Sequence, residues 1–453
     1  MSLFPFFKHN TFARGIHPDA HKSTAGRPIR RMPFASRMIL PLVQHIGKPA
    51  VPLVRAGEEV VRGQPIARAD GFLSVPLHAP ADGVIEAIEL KPSARGPWVE
   101  AIVLRVFEAS TQEVRWANPV DVDTLSAPEI LQAIQDSGMV GLGGAAFPSH
   151  AKLTLPPNTM IHTLVVNGCE CEPYLTCDHR LMLEYPEDLM VGIRLAMKAV
   201  GAKRALIGVE DNKMDAVAAI RAAIAKLGPS DGTIEVQAVP TKYPQGAEKM
   251  LVKSLLGVEV PAGGLPMHVG VVVNNVGTLA LLGSLIPKGQ GLTERVVTVT
   301  GPGIRKPGDY WVPIGTPMRT VLQWAGVDNA NENAGEQEII LGGPMMGQAV
   351  ASLDVPVTKG VSGILVFDKF QIEADRKVWP CIKCGECVKA CPMGLNPAML
   401  GMLAAQREYE SMGGSYHLGD CFECGCCTYV CPSHIPLVQK FRVAKGILRE
   451  RAT

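Results

Sequence analysis

The sequence has almost no net charge, no long uninterrupted apolar run and no basic segment followed by an apolar stretch at its start. With 44 basic against 43 acidic residues, it carries no excess of positive charge that could bind nucleic acid. Asn274, Asn275 and several glycines interrupt the most apolar stretch, 269–287, which predicts a buried strand and a core helix rather than a membrane span. Because the start does not resemble a secretory signal, we expect a cytoplasmic protein.

The sequence also lacks lysine between Lys48 and Lys91, in the middle of the first folded segment, 36–115. Short β-type runs alternate there with glycine and proline turns, which predicts a small β-sandwich. The pieces VRAGEEVVRGQPIA and HAPADGVI are similar to lipoyl or biotinyl carrier domains, whose hairpin tip presents a lysine for modification. Because no lysine lies between Lys48 and Lys91, we expect a barrel-sandwich module with a structural role.

Two further segments have patterns of their own. More than one domain is expected, because the chain is too long for a single hydrophobic core. Residues 120–288 predict an α/β domain, with helices over 129–136, 189–200 and 213–226 and strands over 163–166 and 205–209. Residues 289–368 show a β-hairpin pattern followed by a short helix, similar to the β-grasp module called a soluble-ligand-binding (SLBB) domain.

We predict an N-terminal arm over 1–35, whose first dozen residues hold four phenylalanines, Phe4, Phe6, Phe7 and Phe12. We expect this arm to pack on the chain itself. The alternative is an arm that docks on a partner, such as a membrane subunit.

Nine of the twelve cysteines fall between Cys381 and Cys431, within the last segment, 369–453. Their short repeated spacings are typical of a metal framework in a reducing compartment, not of disulfides. The motif C-x2-C-x2-C-x3-C-P occurs twice, which predicts two [4Fe–4S] clusters. Zinc, the alternative, would need neither two such motifs nor the two Cys-Pro terminations.

The spacing also predicts which cysteines share a cluster. Three thiolates at i, i+3 and i+6 surround one cube, and the fourth cysteine lies too far along the chain to reach it. The predicted ligands of cluster 1 are Cys381, Cys384, Cys387 and Cys431, and those of cluster 2 are Cys421, Cys424, Cys427 and Cys391. Cys426 is left over, and we expect it to pack or to form a hydrogen bond.

A glycine-rich segment, Gly141 to Phe147, matches the dinucleotide fingerprint G-x-G-x-x-A. The residues before it predict a helix and a turn, whereas an ordinary Rossmann site follows a strand, so a Rossmann site is disfavoured. Glycines still allow backbone N–H groups to approach a phosphate closely, and Lys152 could add a positive charge.

Four motifs then resemble, in the same order, the flavin-binding segments of the NADH-oxidising subunit of respiratory complex I. They are GLGGAAFPSHAKL (141–153), NGCECEP (167–173), YPQGAE (243–248) and NNVGTL (274–279). With the carrier-like module, the SLBB module, two ferredoxin motifs and the pieces GIHPDAHK and PLVQHIGKPA, nearly the whole chain is similar to the C subunit of the Rnf electron-transport complex. The resemblance implies a multidomain α/β and α+β fold with a complex I flavoprotein-like FMN domain and an α-helical ferredoxin-like domain.

The resemblance also implies which residues bind non-covalent FMN and the substrate NAD(H). The FMN phosphate and ribityl chain would be held by Gly141, Gly143, Gly144 and Lys152. The ribityl chain and the ring edge would be held by Asn167, Glu170, Asn274, Asn275 and Thr278. The nicotinamide side would hold Phe147, Glu172 and Glu248, with Tyr243 and Gly246 in the same binding segment and with Glu172 and Glu248 as the catalytic candidates.

The sequence departs from the complex I pattern at three positions. Leu142 replaces an arginine, Cys169 an aspartate and Ala247 an acidic residue, so we expect a shifted flavin potential or a looser hold on NADH. The second ferredoxin motif favours the Rnf family. Near the second flavin motif, C-x-C-x5-C-x-H (Cys169 to His179) predicts buried thiols behind the flavin site, with a zinc site as the alternative.

The function implied by the resemblance is that of a peripheral NADH-oxidising subunit of an ion-translocating NADH:ferredoxin oxidoreductase. A hydride would pass from NADH to FMN, and single electrons would then pass through the two clusters to a partner. Expected partners are an iron–sulfur B-type subunit, membrane-embedded subunits and, distally, ferredoxin, at the cytoplasmic face of the bacterial inner membrane. The alternatives are a cobalamin reductase of the propanediol-utilisation type and a non-catalytic wiring or docking subunit.

Overall fold

The computed structural model describes residues 11–94, 96–227, 232–327, 337–350, 352–368 and 377–452. The strands in these ranges are β1 Arg30–Arg31, β2 Arg37–Pro41, β3 Val51–Pro52, β4 Glu59–Val60, β5 Pro65–Arg68, β6 Leu77–His78, β7 Gly83–Pro92, β8 Trp98–Val106, β9 Thr163–Gly168, β10 Arg204–Glu210, β11 Thr233–Val239, β12 Val271–Asn275, β13 Glu294–Thr300, β14 Gly308–Pro313, β15 Gln337–Leu341, β16 Gln348–Ala349 and β17 Gly363–Asp368. The helices are α1 Ala127–Asp136, α2 Ser149–Leu153, α3 Cys177–Glu184, α4 Pro186–Val200, α5 Met214–Lys226, α6 Glu248–Leu256, α7 Val276–Leu285, α8 Met318–Trp324, α9 Glu386–Ala390, α10 Pro397–Gln406, α11 Tyr409–Gly413, α12 Cys426–Tyr429 and α13 Leu437–Ala452.

The predicted β-sandwich is confirmed. Two sheets, ordered β2-β8-β7-β4 and β3-β5-β6, pair antiparallel throughout. Alternate side chains of β2 and β8, including Met38, Leu40, Ile102 and Leu104, are fully buried between them. A core of this kind follows from the period-two pattern of the strands.

The α/β domain contains a parallel sheet ordered β11-β10-β9-β12. Each predicted helix and strand is present, and its ends differ from the predicted ones by at most about three residues. The apolar stretch 269–287 forms β12 and α7, as predicted. Helix α7 packs tightly on α4, since a Cβ on Gly192 would lie 1.8 Å from the Leu279 carbonyl oxygen. Across the described ranges, no helix combines the length and the apolar character needed to cross a membrane.

The strand order creates a switch point between β9 and β12. The chain moves from β9 outward through β10 to β11 and then returns to the other side of β9 as β12. Asn275 at the carboxyl end of β12 pairs with Asn167 near the end of β9. In open α/β sheets ligands bind outside the carboxyl ends of the strands at such a point, so the fold itself places the second and fourth motifs at a binding position.

The third sheet, ordered β1-β14-β13-β17-β15-β16, corresponds to the predicted SLBB segment. Strands β13 and β14 form the predicted antiparallel hairpin, and α8 follows them. The N-terminal arm contributes β1, which pairs parallel with β14.

The arm packs on its own chain from residue 11 onward, as expected. Phe12 is buried, and the Lys242 amino group lies 4.4 Å from the centre of its ring. The amino group of Lys22 is buried and donates hydrogen bonds to the carbonyl oxygens of Glu170, Glu172 and Leu175 at 2.8, 2.7 and 2.5 Å. Phe4, Phe6 and Phe7 lie outside the described residues, so a docking role for them stays a prediction.

Lys22 fixes the loop of the second motif, so its loss has a large expected effect on stability. Burial lowers the pKa of Lys22, and nearby Glu170 opposes that shift. We expect Lys22→Met to leave three carbonyl groups unpaired and to lower the free energy of unfolding by roughly 3 kcal/mol, measured by urea denaturation. The control is Lys226→Met, whose side chain is 68% exposed in its ion pair and which we expect to change stability by less than about 0.5 kcal/mol. Equal effects of the two variants would contradict a stabilising role for the hydrogen bonds of Lys22.

Two buried histidines between the β-sandwich and the α/β domain predict acid sensitivity. Burial and the Lys359 amino group lower the pKa of His45 from 6.5 to about 4 and that of His78 to about 3, and His150 also lies near His45. The unfolded chain therefore takes up these protons first as the pH falls. Stability should be intact above pH 6.5 and fall between 6.5 and 4, by up to about 1.4 kcal/mol per pH unit for each imidazole. A denaturation midpoint that rises as the pH falls from 6.5 to 4 would contradict the lowered pKa values of His45 and His78.

The cysteine segment forms a small helical domain around its own core. Helices α10, α11 and α13 pack together, and Leu400, Met412, Leu418 and Phe441 are buried between them. Each ferredoxin motif leads into a short helix, α9 or α12, as the predicted helical ferredoxin-like fold requires.

Candidate functional site

Hydrogen bonds bring the four flavin motifs together at the switch point. The Leu142 backbone N–H of the first motif donates to the Thr278 hydroxyl of the fourth at 2.9 Å. The Asn167 side-chain amide of the second donates to the Gly246 carbonyl of the third at 2.8 Å. A Cβ on Gly246 would lie 2.4 Å from the Cys169 carbonyl oxygen, so only glycine permits this approach. All four segments therefore meet at the ends of β9 and β12.

An ion pair also connects the first motif with the third. Lys152 on α2 contacts the Glu248 carboxylate at the start of α6. Both side chains remain partly exposed, at 31% and 43%, so each is accessible to a ligand. Their charges differ in sign, and a phosphate would therefore compete with Glu248 for Lys152.

Arg295 supports the glycine loop from the SLBB domain. Its buried guanidinium donates to the Leu142 carbonyl at 3.2 Å and to the Lys359 carbonyl at 2.5 Å. Both the N–H and the carbonyl group of Leu142 are thus hydrogen-bonded. The complex I pattern has an arginine at this position. The sequence pattern carries no signal for Arg295, because its contact depends on the packing of two domains.

Asp178 is a second residue that the sequence analysis missed. Its carboxylate accepts a hydrogen bond of 2.6 Å from the side-chain amide of Asn275. The Asn275 side-chain oxygen in turn accepts from the Thr278 backbone N–H at 3.0 Å and caps α7. Burial raises the pKa of Asp178 to about 7, with a further contribution from Glu170. A carboxyl group of this kind can hold or release a proton directly behind Asn275.

The residues present fit FMN. Gly143 and Gly144 are exposed, and a Cβ on Gly143 would lie 3.3 Å from the Asn275 side chain. The side-chain amide nitrogen of Asn274 is buried and has no partner among the described residues. Exposed backbone amides, a nearby lysine and a buried unpaired donor are the groups that a phosphate, a ribityl chain and a ring edge require.

The residues predicted for the nicotinamide side are less exposed than the glycine loop. Phe147 is half-buried, and its carbonyl accepts from the Gly141 N–H at 2.8 Å. Glu170, which was predicted for the ribityl chain and the ring edge, is also buried and accepts a hydrogen bond from the backbone N–H of Asp178 at 3.0 Å. The Glu172 carboxylate accepts from the backbone N–H groups of residues 345 and 346 at 3.0 and 2.9 Å. Burial raises the pKa of Glu172. Of the acids named for NAD(H), Glu248 is the one with an open carboxylate.

The thiols of the second motif have separate partners. Cys169 contacts the Gly208 carbonyl at 3.6 Å, Cys171 accepts from the Gly246 N–H at 3.3 Å, and Cys177 contacts the Glu170 carboxylate at 3.3 Å. The His179 ring points to the Asp215 carboxylate instead. Cys169 and Cys177 are buried and Cys171 is half-buried, and each thiol has a different partner, which agrees with the predicted packed thiols better than with the alternative, a zinc site.

The cysteines of the two ferredoxin motifs gather in two groups. Burial raises the pKa of the Cys387 thiol, and so do neighbouring thiols, namely those of Cys384, Cys431 and Cys381. Burial likewise raises the pKa of Cys421 to about 11, and its thiol neighbours are Cys424 and Cys391. Cys427 lies near Cys424, Cys421 and Cys391, and also near Cys387 of the first motif. The fourth cysteine of each motif therefore lies near the first three of the other. Cys426, the leftover thiol, is buried and hydrogen-bonds to the Cys424 side chain.

The loops that carry these cysteines are built alike. In the first, Lys383 and Gly385 have positive φ values of 56° and 82°; in the second, Glu423 and Gly425 have 63° and 84°. These left-handed turns direct successive thiols toward one point. All twelve cysteines are free, so none of the eight predicted ligands is tied up in a disulfide.

A switch-point site with glycine and asparagine motifs, beside two groups of four thiols, defines a flavin and iron–sulfur electron-transfer protein. Three family descriptions match in the same order: "RnfC Barrel sandwich hybrid domain" over 10–108, "Nuo51 FMN-binding domain" over 134–283 and "4Fe-4S dicluster domain" over 380–435. FMN and [4Fe–4S] clusters are thus the cofactors of its domains.

Curated relatives then specify the family. The chain is 40% identical to the C subunit of the proton-translocating ferredoxin:NAD(+) oxidoreductase complex of Clostridium ljungdahlii, over 90% of this chain and 88% of that one. It is 41% identical to the Na(+)-translocating counterpart of Acetobacterium woodii, over 86% of each chain. The C subunit of an ion-translocating oxidoreductase complex of Pseudomonas aeruginosa is 40% identical over 98% of this chain and 56% of its own length. The chain belongs to the family of Rnf complex C subunits, which are parts of an oxidoreductase.

Solved structures support the same fold. An NAD+-reducing [NiFe]-hydrogenase in the air-oxidized state superposes with a TM-score of 0.52 at 22% identity, over 71% of this chain and 66% of that one. Its H2-reduced state gives 0.51 at 20% identity.

Proposed function

We propose that this chain oxidises NADH at the switch-point site and delivers single electrons through its cysteine domain to a partner subunit of a ferredoxin:NAD+ oxidoreductase. The observation that carries the proposal is the meeting of four flavin motifs beside two groups of four thiols in one chain. FMN, when bound, accepts a hydride and releases its two electrons singly to [4Fe–4S] clusters, which carry one each.

The residues of the chain would supply binding and orientation. Gly141, Gly143, Gly144 and Lys152 would hold the phosphate, while the asparagines at the ends of β9 and β12 would hold the ribityl chain and the ring edge. Thr278 and Arg295 keep the glycine loop in the shape that binding needs. Glu248 would accept hydrogen bonds from ribose hydroxyls of NADH, with Phe147 and Gly246 near it, while Glu172 and the buried Tyr243 would support this part of the site from behind. Asp178, behind Asn275, would hold or release a proton close to the ring edge.

We also propose the crossed ligand sets: Cys381, Cys384, Cys387 and Cys431 for cluster 1, and Cys421, Cys424, Cys427 and Cys391 for cluster 2. The thiol groups described above support this pairing. The chain would act at the cytoplasmic face of the bacterial inner membrane, bound to membrane-embedded subunits and an iron–sulfur B-type subunit, with ferredoxin as the distal partner. The relatives' names favour this function over a cobalamin reductase.

Anaerobic addition of NADH to the purified chain tests the proposal. We expect the flavin absorbance to bleach within seconds and the broad iron–sulfur absorbance to fall with it. A chain that holds FMN and iron but keeps its spectrum unchanged in NADH would support the non-catalytic wiring subunit instead.

Lys152 and Glu248 have different proposed roles even though they form an ion pair. Lys152→Met should weaken FMN binding about tenfold, equal to roughly 1.4 kcal/mol, and leave the KM for NADH unchanged at saturating FMN. Glu248→Gln should raise the KM for NADH about tenfold, since a neutral amide accepts hydrogen bonds from ribose less strongly, and it should not lower the FMN content, since it frees Lys152 for the phosphate. Fluorescence titration of apoprotein with FMN and steady-state kinetics measure the two effects. The reversed pattern would contradict both assignments.

A further inference from the structure

Tyr243 lies where the α/β domain meets the cysteine domain. Its backbone N–H and carbonyl pair with Ile16 of the arm, both at 2.9 Å. Its ring packs in a small buried cluster with Ile16, Ala390 and Cys426, and 1% of the residue is exposed. The side chain is therefore fixed between the two domains, although the sequence motif points only to a nucleotide site.

The Tyr243 hydroxyl contacts the second ferredoxin motif. It donates to the Cys424 backbone carbonyl at 2.6 Å, and the Glu172 carboxylate lies 3.4 Å away. Backbone N–H groups of residues 345 and 346 hold that carboxylate on its other side. A phenol has one proton to donate, and the shorter contact takes it. Burial raises the pKa of Tyr243 well above its usual range, so the hydroxyl stays a donor.

The two groups of thiols differ in their surroundings. Cys381 and Cys384 are exposed to solvent, whereas Cys427 is buried and Cys424 is partly covered. Tyr243 covers the Cys424 side from the α/β domain, and residue 345 of the SLBB domain approaches so closely that a Cβ on Gly425 would lie 2.9 Å from its carbonyl oxygen. Cys387 of cluster 1 is buried as well, but exposed thiols occur in cluster 1 alone among the eight predicted ligands, and the Cys424 side of cluster 2 faces the flavin motifs.

We propose that Tyr243 is a positioning residue that raises the reduction potential of cluster 2, the cluster on the flavin side. The inference rests on the proposed function, because it assumes the crossed ligand sets. The positive end of the O–H dipole points at the Cys424 carbonyl and stabilises the additional negative charge of a reduced cluster beside it. Hydrogen bonds and solvent exposure are the means by which proteins tune these potentials.

The test is a redox titration of Tyr243→Phe, purified anaerobically as the full chain and followed by EPR. We expect the equilibrium constant for reduction of one cluster to fall about tenfold, which is 59 mV for a one-electron couple, while the other cluster and the FMN content stay unchanged. In a Cys381→Ser background, which removes cluster 1, the same shift should appear in the remaining signal. Tyr429→Phe is the control, because Tyr429 is 56% exposed on the same domain.

An unchanged pair of potentials, or equal shifts in both clusters, would overturn the inference. If Tyr243→Phe loses iron, Glu172→Gln serves instead. It keeps the hydroxyl bond and removes a negative charge next to it, so at pH 8 it should raise the potential of the same cluster alone. If the reduction potentials of both clusters shifted, or if neither did, the role of Tyr243 would again be overturned. A wild-type chain without iron or FMN would instead refute the proposed function, so the two failures are distinguishable.

Discussion

Replacing Cys391 by serine should remove the cluster whose other ligands are Cys421, Cys424 and Cys427. Iron should fall from about eight to about four atoms per chain, because a cube that loses one of four thiolates is not retained. A change in the first motif affects the cluster of the second because the cysteine that ends each motif lies beside the thiols of the other motif. Iron and sulfide analysis of anaerobically purified protein measures the loss.

Double variants decide the pairing without ambiguity. Cys391→Ser with Cys427→Ser should retain about four irons, because both changes affect one cluster, whereas Cys391→Ser with Cys381→Ser should retain none. The opposite pattern would show that each motif binds its own cluster. Cys426→Ala is the matched control and should retain all the iron, since its buried thiol contacts a ligand without being one in our assignment.

Replacing Gly143 by valine should abolish FMN binding and leave the fold intact. A Cβ at this position would lie 3.3 Å from the Asn275 side chain, and the two methyl groups of valine would occupy the space between the loop and the end of β12. We expect at least a 100-fold rise in the Kd for FMN, about 2.7 kcal/mol, measured by titration of apoprotein. Because Gly143 is exposed, the denaturation midpoint should change little.

Gly26→Val is the control for this substitution. Gly26 is exposed, and a Cβ there would meet nothing within 4 Å, so both FMN affinity and stability should match those of the wild type. A Gly143→Val chain that binds FMN normally would show that the flavin site lies elsewhere.

The parts of this architecture that the sequence could predict are those encoded by local spacing. Cysteine spacing requires that the fourth thiol of each motif leave its own loop, and the interrupted apolar stretch 269–287 could form a strand and a helix but not a membrane span. The pairing of Asn167 with Asn275 could not be predicted from the pattern alone, because it depends on the order of strands in the sheet. The prediction that the four motifs share one site came from the resemblance to a family and not from hydrophobic periodicity.

Long-range polar contacts escaped the sequence analysis for a similar reason. Arg295 lies in no motif, and Asp178 occupies an unassigned position of the motif Cys169 to His179, yet they hold Leu142 and Asn275 in place through hydrogen bonds that span domains or helices. Tyr243 was assigned to the nucleotide site on its motif, and its hydroxyl contacts Cys424 instead. Side-chain direction at a domain boundary is set by packing, which a single motif does not encode.

The most direct test of the account is the EPR spectrum of anaerobically purified protein after NADH is added. We expect about one FMN and two [4Fe–4S] clusters per chain, and we expect NADH alone to produce cluster signals that dithionite then increases to about two spins per chain. A chain whose thiols hold zinc, or whose intact clusters stay oxidised in excess NADH while dithionite reduces them, would contradict it.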